Sequence, residues 1–199
     1  MRVSVIVANF NYSRYIGATI RSLLTQSMPS QDYEVIVVND GSTDISLKIL
    51  EPYLDIIKVL TGPQQGVITA CNEGFNHAKG QYIVRVDADD YVNEKFLELE
   101  WMFLVENKDF DAVSCDYYKV DERGNRLSRH DASKEPIACG VMFGREAIFY
   151  LGLYKEGLDM WEDTKFVSRF AERKHMYRIP LPLYRYRQHP DSLTHKESK

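Results

Sequence analysis

Asp87-Ala88-Asp89-Asp90 puts three carboxylates within four residues. Carboxylates this close repel one another, and each is costly to desolvate alone. A divalent cation with hard oxygen ligands resolves that conflict, and such an ion, Mg²⁺ or Mn²⁺, is commonly shared with substrate phosphates. The same residues also fit a solvated acidic turn that caps the next helix. An EF-hand does not fit, because Tyr91 and Val92 stand where an oxygen ligand and the turn glycine are needed. Asp40, in Val38-Asn39-Asp40-Gly41-Ser42-Thr43-Asp44, suggests a second chemistry. A carboxylate at a strand end can accept a hydrogen bond from the imide N–H of a uracil-type base, or it can close an Asx turn, the role read for Asp44. His189 is the histidine whose setting suits a Mn²⁺-like metal. Arg185 and Arg187 alternate along an extended segment, where one guanidinium could meet a diphosphate or both could lie on a charged surface strand.

These residues need elements to hold them. Residues 3–8 are a β-branched run that reads as a buried strand. Ser13 is a plausible N-cap for a helix over 13–24, with Ile16, Ile20, Leu23 and Leu24 on one face. Residues 33–38 read as a second strand, and the turn at 40–44 leads into a helix carrying Leu47, Ile49 and Leu50. Strands over 56–60 and 82–86 flank a helix over 66–78. In the second half, 94–106 reads as helix, 111–119 as strand, 122–125 as a turn between strands, 162–173 as helix and 181–187 as extended chain. Strands alternating with helices imply a largely parallel sheet with right-handed crossovers. Ligands then lie beyond the carboxyl ends of the strands, where residues 9–11, 39–40 and 87–90 all fall.

Composition excludes other classes. The chain has 199 residues, 44% hydrophobic and 27% charged, which suits one globular domain. A formal net charge of −4 argues against a nucleic-acid binder. Cys71, Cys115 and Cys139 form no CxxC pair, and their odd number argues against a disulfide framework, so a reducing cytoplasm is expected. No stretch approaches the ~20 apolar residues that span a bilayer. No GxGxxG follows the first strand, which removes the main support for a dinucleotide-binding reading.

Taken together, Val3-Ser4-Val5-Ile6-Val7-Ala8-Asn9-Phe10-Asn11-Tyr12, Asn39-Asp40-Gly41-Ser42-Thr43-Asp44 and Gly80-Gln81-Tyr82-Ile83-Val84-Arg85-Val86-Asp87-Ala88-Asp89-Asp90 resemble family 2 of the inverting glycosyltransferases. Trp161-Glu162-Asp163 resembles that family's Glu-Asp motif before a helix, and residues 186–192 resemble its carboxyl-terminal segment. The likeness covers nearly the whole chain in order. It implies a single-domain, Rossmann-like α/β/α sandwich with a mixed, mostly parallel central sheet of the GT-A type, divided into a nucleotide-binding half (1–90) and a metal- and acceptor-binding half (91–190), with a flexible tail (191–199). It also implies transfer of a sugar from a nucleotide diphosphate donor, a UDP-sugar first among them, to a hydroxyl on a glycan or lipid-linked saccharide.

The resemblance assigns roles by position. Ala8 and Asp40 would bind the base, Phe10 would lie against its face, and Asp87 would reach the ribose or the metal. Asp89 would be the main metal ligand and Asp163 the catalytic base, with Asp159 as a fallback. Acids opening a helix also stabilise its dipole, which is the plainer reading of Glu162 and Asp163. One departure stands out: Cys71 occupies a position where many relatives carry Arg, so diphosphate contacts pass to Arg85, Arg185 or Arg187. Two other readings compete. A sugar-phosphate nucleotidyltransferase would need a glycine-rich loop that 8–12 lacks, and a non-catalytic nucleotide-sugar or carbohydrate-binding module would have no use for a base. The basic segment 173–199 fits a solvated charged face or peripheral contact with anionic lipid at the inner membrane face.

Overall fold

The computed structural model describes residues 1–155 and 162–192. Among them runs one nine-stranded sheet of order β3-β2-β1-β4-β8-β6-β9-β5, in which β5 is Tyr91–Val92, with β7 (Arg126–His130) hydrogen-bonded to β6. β1 (Val3–Asn9) lies parallel between β2 (Tyr33–Asp40) and β4 (Tyr82–Arg85), and β3 (Lys58–Gly62) adds a further parallel strand at the edge. The second half joins through β8 (Val141–Gly144), antiparallel to both β4 and β6 (Ala112–Val120). The longest pairing is parallel, between β6 and β9 (Met176–Arg187). The sheet is therefore mixed and, by length of pairing, mostly parallel. No helix among the described residues is long and apolar enough to cross a membrane.

Helices cover both faces of this sheet, and one of them, α1, bears directly on the acidic loop at 87–90. α1 (Ser13–Leu24) buries Ile16, Ile20 and Leu23 as its periodicity predicts. Its Thr19 hydroxyl lies 2.8 and 2.7 Å from the carbonyl oxygens of Ala88 and Asp90, tying the helix to that loop. α3 (Val67–His77) approaches β1 so closely that a Cβ on Gly74 would come 2.3 Å from a methyl of Ile6, which explains glycine there. α4 (Phe96–Glu106) covers the opposite face, and its Glu100 is fully buried with no hydrogen-bond partner on either carboxyl oxygen. α6 (Glu162–Arg173) packs Phe166, Val167 and Phe170 into a core cluster with Phe143 and Tyr154.

Several expectations change. Ser13 does not cap α1. It is the first helical residue, and its N–H donates to Asp44 Oδ2 at 2.8 Å, while Asp44 Oδ1 accepts from the Ser46 N–H at 2.9 Å. Asp44 thus serves the starts of both α1 and α2 (Ser46–Leu50); despite its burial, these hydrogen bonds hold its carboxyl below the ordinary range. The third strand begins at Lys58 rather than Ile56, because the turn after Pro52 leaves Ile56 exposed and turns Ile57 inward. β5 (Tyr91–Val92), β8 and α5 (Arg145–Tyr150) are too short to show a period and were not foreseen. β9 starts five residues earlier than the extended segment read from the sequence; its two prolines fall at or beside the register shifts opposite Cys115 and Asp116, where no ladder N–H is required. All three cysteines are buried and free.

The basic segment also changes character. Arg178 binds Asp116 bidentately at 2.7 and 2.9 Å, Lys174 lies 3.7 Å from Asp111, and Arg185 and Arg187 are buried. Arg178, Lys174, Arg185 and Arg187 are thus engaged within the fold, whereas Arg173 is exposed. Lys196, Lys199 and the rest of the tail from 193 lie outside the described residues, as do Asp159 and Trp161.

Candidate active site

A cavity of about 200 Å³ opens at the carboxyl ends of β1 and β4, with Ala8, Tyr12, Arg85, Asp87, Asp89 and Asp163 in its lining. β4 runs into the acidic loop, and three partners from the far end of the chain fix that loop. Tyr184 on β9 donates its hydroxyl to Asp90 Oδ2 at 2.8 Å and accepts the Asp87 N–H at 3.1 Å. The backbone N–H of Arg187 donates to Asp90 Oδ1 at 2.7 Å. His189 Nε2 lies 2.8 Å from Asp89 Oδ2. Gly140, at φ +70°, leaves room for the Tyr184 ring, which a Cβ would meet at 2.7 Å.

The three carboxylates are not equivalent. Asp90, 2% exposed, is bracketed by Tyr184 and Arg187 and holds the loop in place. Burial, then the charges of Asp89 and Asp87, push its proton affinity well above the ordinary carboxylate range. Asp87 is also raised, first by burial, with Arg85 opposing and Asp89 adding to the rise. Negative charge here is therefore only partly compensated. Atoms of Asp87, Asp90 and Cys139 come within 4.8 Å of one another, and Asp89 stands beside them on His189. His189 is buried against the Tyr15 ring at 4.5 Å, and its Nδ1 is buried without a partner. Crowded oxygen donors with excess negative charge and one imidazole fit a divalent cation.

The guanidinium that reaches this cavity belongs to Arg85. Its Nε donates to Asp87 Oδ1 at 2.7 Å and its Nη1 to Asp163 Oδ2 at 2.6 Å. Asp163 Oδ1 accepts the N–H of Thr164 at 2.6 Å, so Asp163 also serves the first turn of α6. Arg187 was expected to face a diphosphate; instead its Nε and Nη1 donate to the carbonyls of Asp89 and Glu122, and it stacks between Tyr15 and Tyr91. That guanidinium braces the acidic loop from behind. Arg185 is likewise directed at the carbonyls of Pro182 and Tyr184.

Ala8, Asp87, Asp89 and Asp163 thus share one cavity, with His189 and Arg187 behind Asp89. Asp40 closes β2 and Phe10 follows the end of β1, both outside the cavity's lining. Both Asp40 oxygens accept backbone N–H groups, from Gln65 and Gly66 at 2.8 Å each, which fixes the entry to α3. Tyr12, which ends the motif at 3–12 without an assigned role, lines the cavity instead, and burial and the three acidic neighbours keep its hydroxyl protonated.

A family model for glycosyl transferase family 2 matches residues 4–175. The chain belongs to glycosyl transferase family 2. EpsJ of Bacillus subtilis, described as an uncharacterized glycosyltransferase, is 31% identical over 96% of this chain and 62% of its own length. The poly(ribitol-phosphate) beta-glucosyltransferase of Bacillus spizizenii is 35% identical over 78% of this chain and 26% of its own. The crystal structure of S. aureus TarS 1-349 in complex with UDP-GlcNAc matches with a TM-score of 0.85 at 22% identity, over 100% of this chain and 61% of that one, a likeness of fold alone. This family 2 chain spans 62% and 64% of the length of EpsJ and EpsH of Bacillus subtilis.

Cys71, which departs from the family pattern, is buried in α3 with its thiol pushed up to about 12 by burial, so it is neutral packing and no nucleophile. Its neighbour Asn72 was missed as a structural anchor: Nδ2 donates to the Tyr154 carbonyl at 2.8 Å, and Oδ1 accepts the Tyr154 N–H at 3.1 Å. That clamp fixes the chain just before residues 156–161.

Proposed function

We propose that this chain carries the catalytic site of an inverting glycosyltransferase that moves a sugar from a nucleotide diphosphate donor, a UDP-sugar, to a hydroxyl of a glycan or lipid-linked saccharide. The observation that carries this reading is the placement of the Asp163 carboxylate in the same cavity as Asp87 and Asp89, with Arg85 across the gap. Its relatives are glycosyltransferases by name, and related folds have been solved with UDP-GlcNAc and with GDP-Man and Mn²⁺.

Asp163 takes the proton of the acceptor hydroxyl as that oxygen attacks the anomeric carbon, and the bond from that carbon to the diphosphate oxygen breaks on the opposite side. One displacement inverts the anomeric centre and leaves no sugar on the enzyme. A divalent cation, Mn²⁺ or Mg²⁺, held by Asp87 and Asp89, would neutralise charge on the departing diphosphate when bound. His189 fixes the Asp89 carboxylate through Nε2, and Arg187 fixes the same residue through its carbonyl. Asp40 keeps lone pairs beyond its two backbone bonds, and these would accept the base imide, with Phe10 against the ring and Ala8 offering backbone groups. Residues 1–90 then serve the nucleotide and 91–190 complete the metal and acceptor sides, in a cytoplasmic enzyme.

A thermal-shift panel of nucleotide diphosphate sugars with MnCl₂ tests the donor assignment. A donor present at 100 times its dissociation constant adds about 2.7 kcal/mol, a rise of roughly 5–10 °C for a chain this size. One UDP-sugar is expected to give the largest shift, and Asp89→Asn to lose that shift while melting near the wild-type temperature. No shift with any nucleotide sugar would overturn the proposal. An equal shift in Asp89→Asn would remove Asp89 from the metal site.

A further inference from the structure

We propose that Arg85 is the positioning residue for the base: its guanidinium aims the Asp163 carboxylate into the cavity and ties that placement to the donor-side carboxylate Asp87. This rests on the reading of Asp163 as general base. Arg85 closes β4, is 6% exposed, and donates through two different nitrogens to two carboxylates at 2.7 and 2.6 Å. A guanidinium is planar and rigid, so two carboxylates on separate nitrogens of one fork are held at a set separation and orientation. Lysine, a point charge on a flexible stem, sets neither.

Among the described residues, this task falls to Arg85. Phe166, Val167 and Phe170 seat α6 in the core, which fixes the helix but not the rotamer of its second residue. Among the described residues, the recorded hydrogen bonds to the Asp163 side chain come from Arg85 and from the adjacent Thr164. Thr164 engages Oδ1, so the placement of Oδ2 depends on Arg85. Without Arg85, Asp163 would face Asp87 and Asp89 uncompensated, and repulsion would swing it off the line to the anomeric carbon. Among the described residues, the other groups next to Arg85, the Cys71 thiol and the Tyr154 phenol, are buried and neutral, so Asp87 and Asp163 balance its charge. Because the same cation touches Asp87, the base is set at a fixed distance from the donor, as a single displacement requires.

The test is nucleoside diphosphate release by the full chain, with MnCl₂ and the nucleotide sugar that gives the largest thermal shift, water serving as acceptor. Arg85→Gln is expected to lower kcat by about 10²-fold with a much smaller change in KM, Arg85→Lys to recover only part of that, and millimolar guanidinium to restore rate to Arg85→Ala. Since Arg85 acts through Asp163, the double variant Arg85→Gln/Asp163→Asn should be no slower than Asp163→Asn alone. A scaffold role would give multiplying losses and no rescue, and that result overturns the proposal, as does a kcat for Arg85→Gln near wild type while Asp163→Asn is slow. If Arg85→Gln does not fold by its melting curve, Arg85→Lys carries the comparison, and a wild-type kcat in it is the contrary result. An Asp163→Asn variant as fast as wild type, or a wild type that releases nothing from any nucleotide sugar, refutes the general-base reading itself.

Discussion

Asp163→Asn is expected to retain donor and metal binding and to lose transfer by about 10²–10⁴-fold, the usual contribution of a general base. Asn keeps the size of the side chain, and its carbonyl can still accept from Arg85 Nη1, so the contact that fixes the side chain survives in weakened form. What disappears is a group able to take the acceptor proton. The donor-side carboxylates are untouched, because Asp87 binds the other arm of Arg85 and Asp89 binds His189. Calorimetric titration with UDP and Mn²⁺, alongside transfer rates, separates the two effects. A variant that keeps more than about a tenth of the wild-type rate, a loss under ~1.4 kcal/mol, places the base elsewhere. A variant that fails to bind UDP places Asp163 in the nucleotide site.

Glu100→Met is expected to stabilise the fold by about 1–3 kcal/mol at pH 7, because it replaces a buried, unpartnered carboxyl with an apolar side chain of similar length. Burial pushes the Glu100 carboxyl well above its ordinary value of 4.5, and the Cys115 thiol beside it opposes the rise only in part. The sign follows from linkage. The folded state keeps the proton where the unfolded state has released it, so wild-type stability from this group is full below the ordinary value and falls as pH rises through the window up to the raised one. The slope is about 1.4 kcal/mol per pH unit. The advantage of Glu100→Met should therefore grow between pH 5 and pH 7, read by urea unfolding at each pH. Asp87 and Asp90, which shift in the same direction, are common to both proteins and cancel in the difference. A constant difference across that range would mean that Glu100 titrates as an exposed carboxyl.

The parts of the site legible in the sequence were those whose meaning is local. A β-branched strand followed by clustered carboxylates announces both the element and its ligand end, and β1, β2 and β4 lie side by side as that pattern requires. The helical faces of α1 and α3 follow from spacing in the same way. Partnerships across the chain left no such trace. Arg85 meets Asp163 across 78 residues and Asp90 meets Tyr184 across 94, and nothing near either residue announces the pairing. Arg187 illustrates the reverse error: an arginine on an alternating segment looks free to bind phosphate, but aromatic rings on either side and carbonyls at its tip hold it inside. Glu100 is equally silent in sequence, since Glu98 two residues earlier lies on a partly exposed flank of the same helix.

The central claim is a single displacement driven from one cavity, and the anomeric configuration of the product tests it most directly. With the donor identified by thermal shift, MnCl₂ and an accepting saccharide, proton NMR of the first product formed should show the configuration opposite to that of the donor, with nucleoside diphosphate released in equal amount and the reaction stopped by EDTA. Retention of configuration, or a rate indifferent to chelation, would contradict the account.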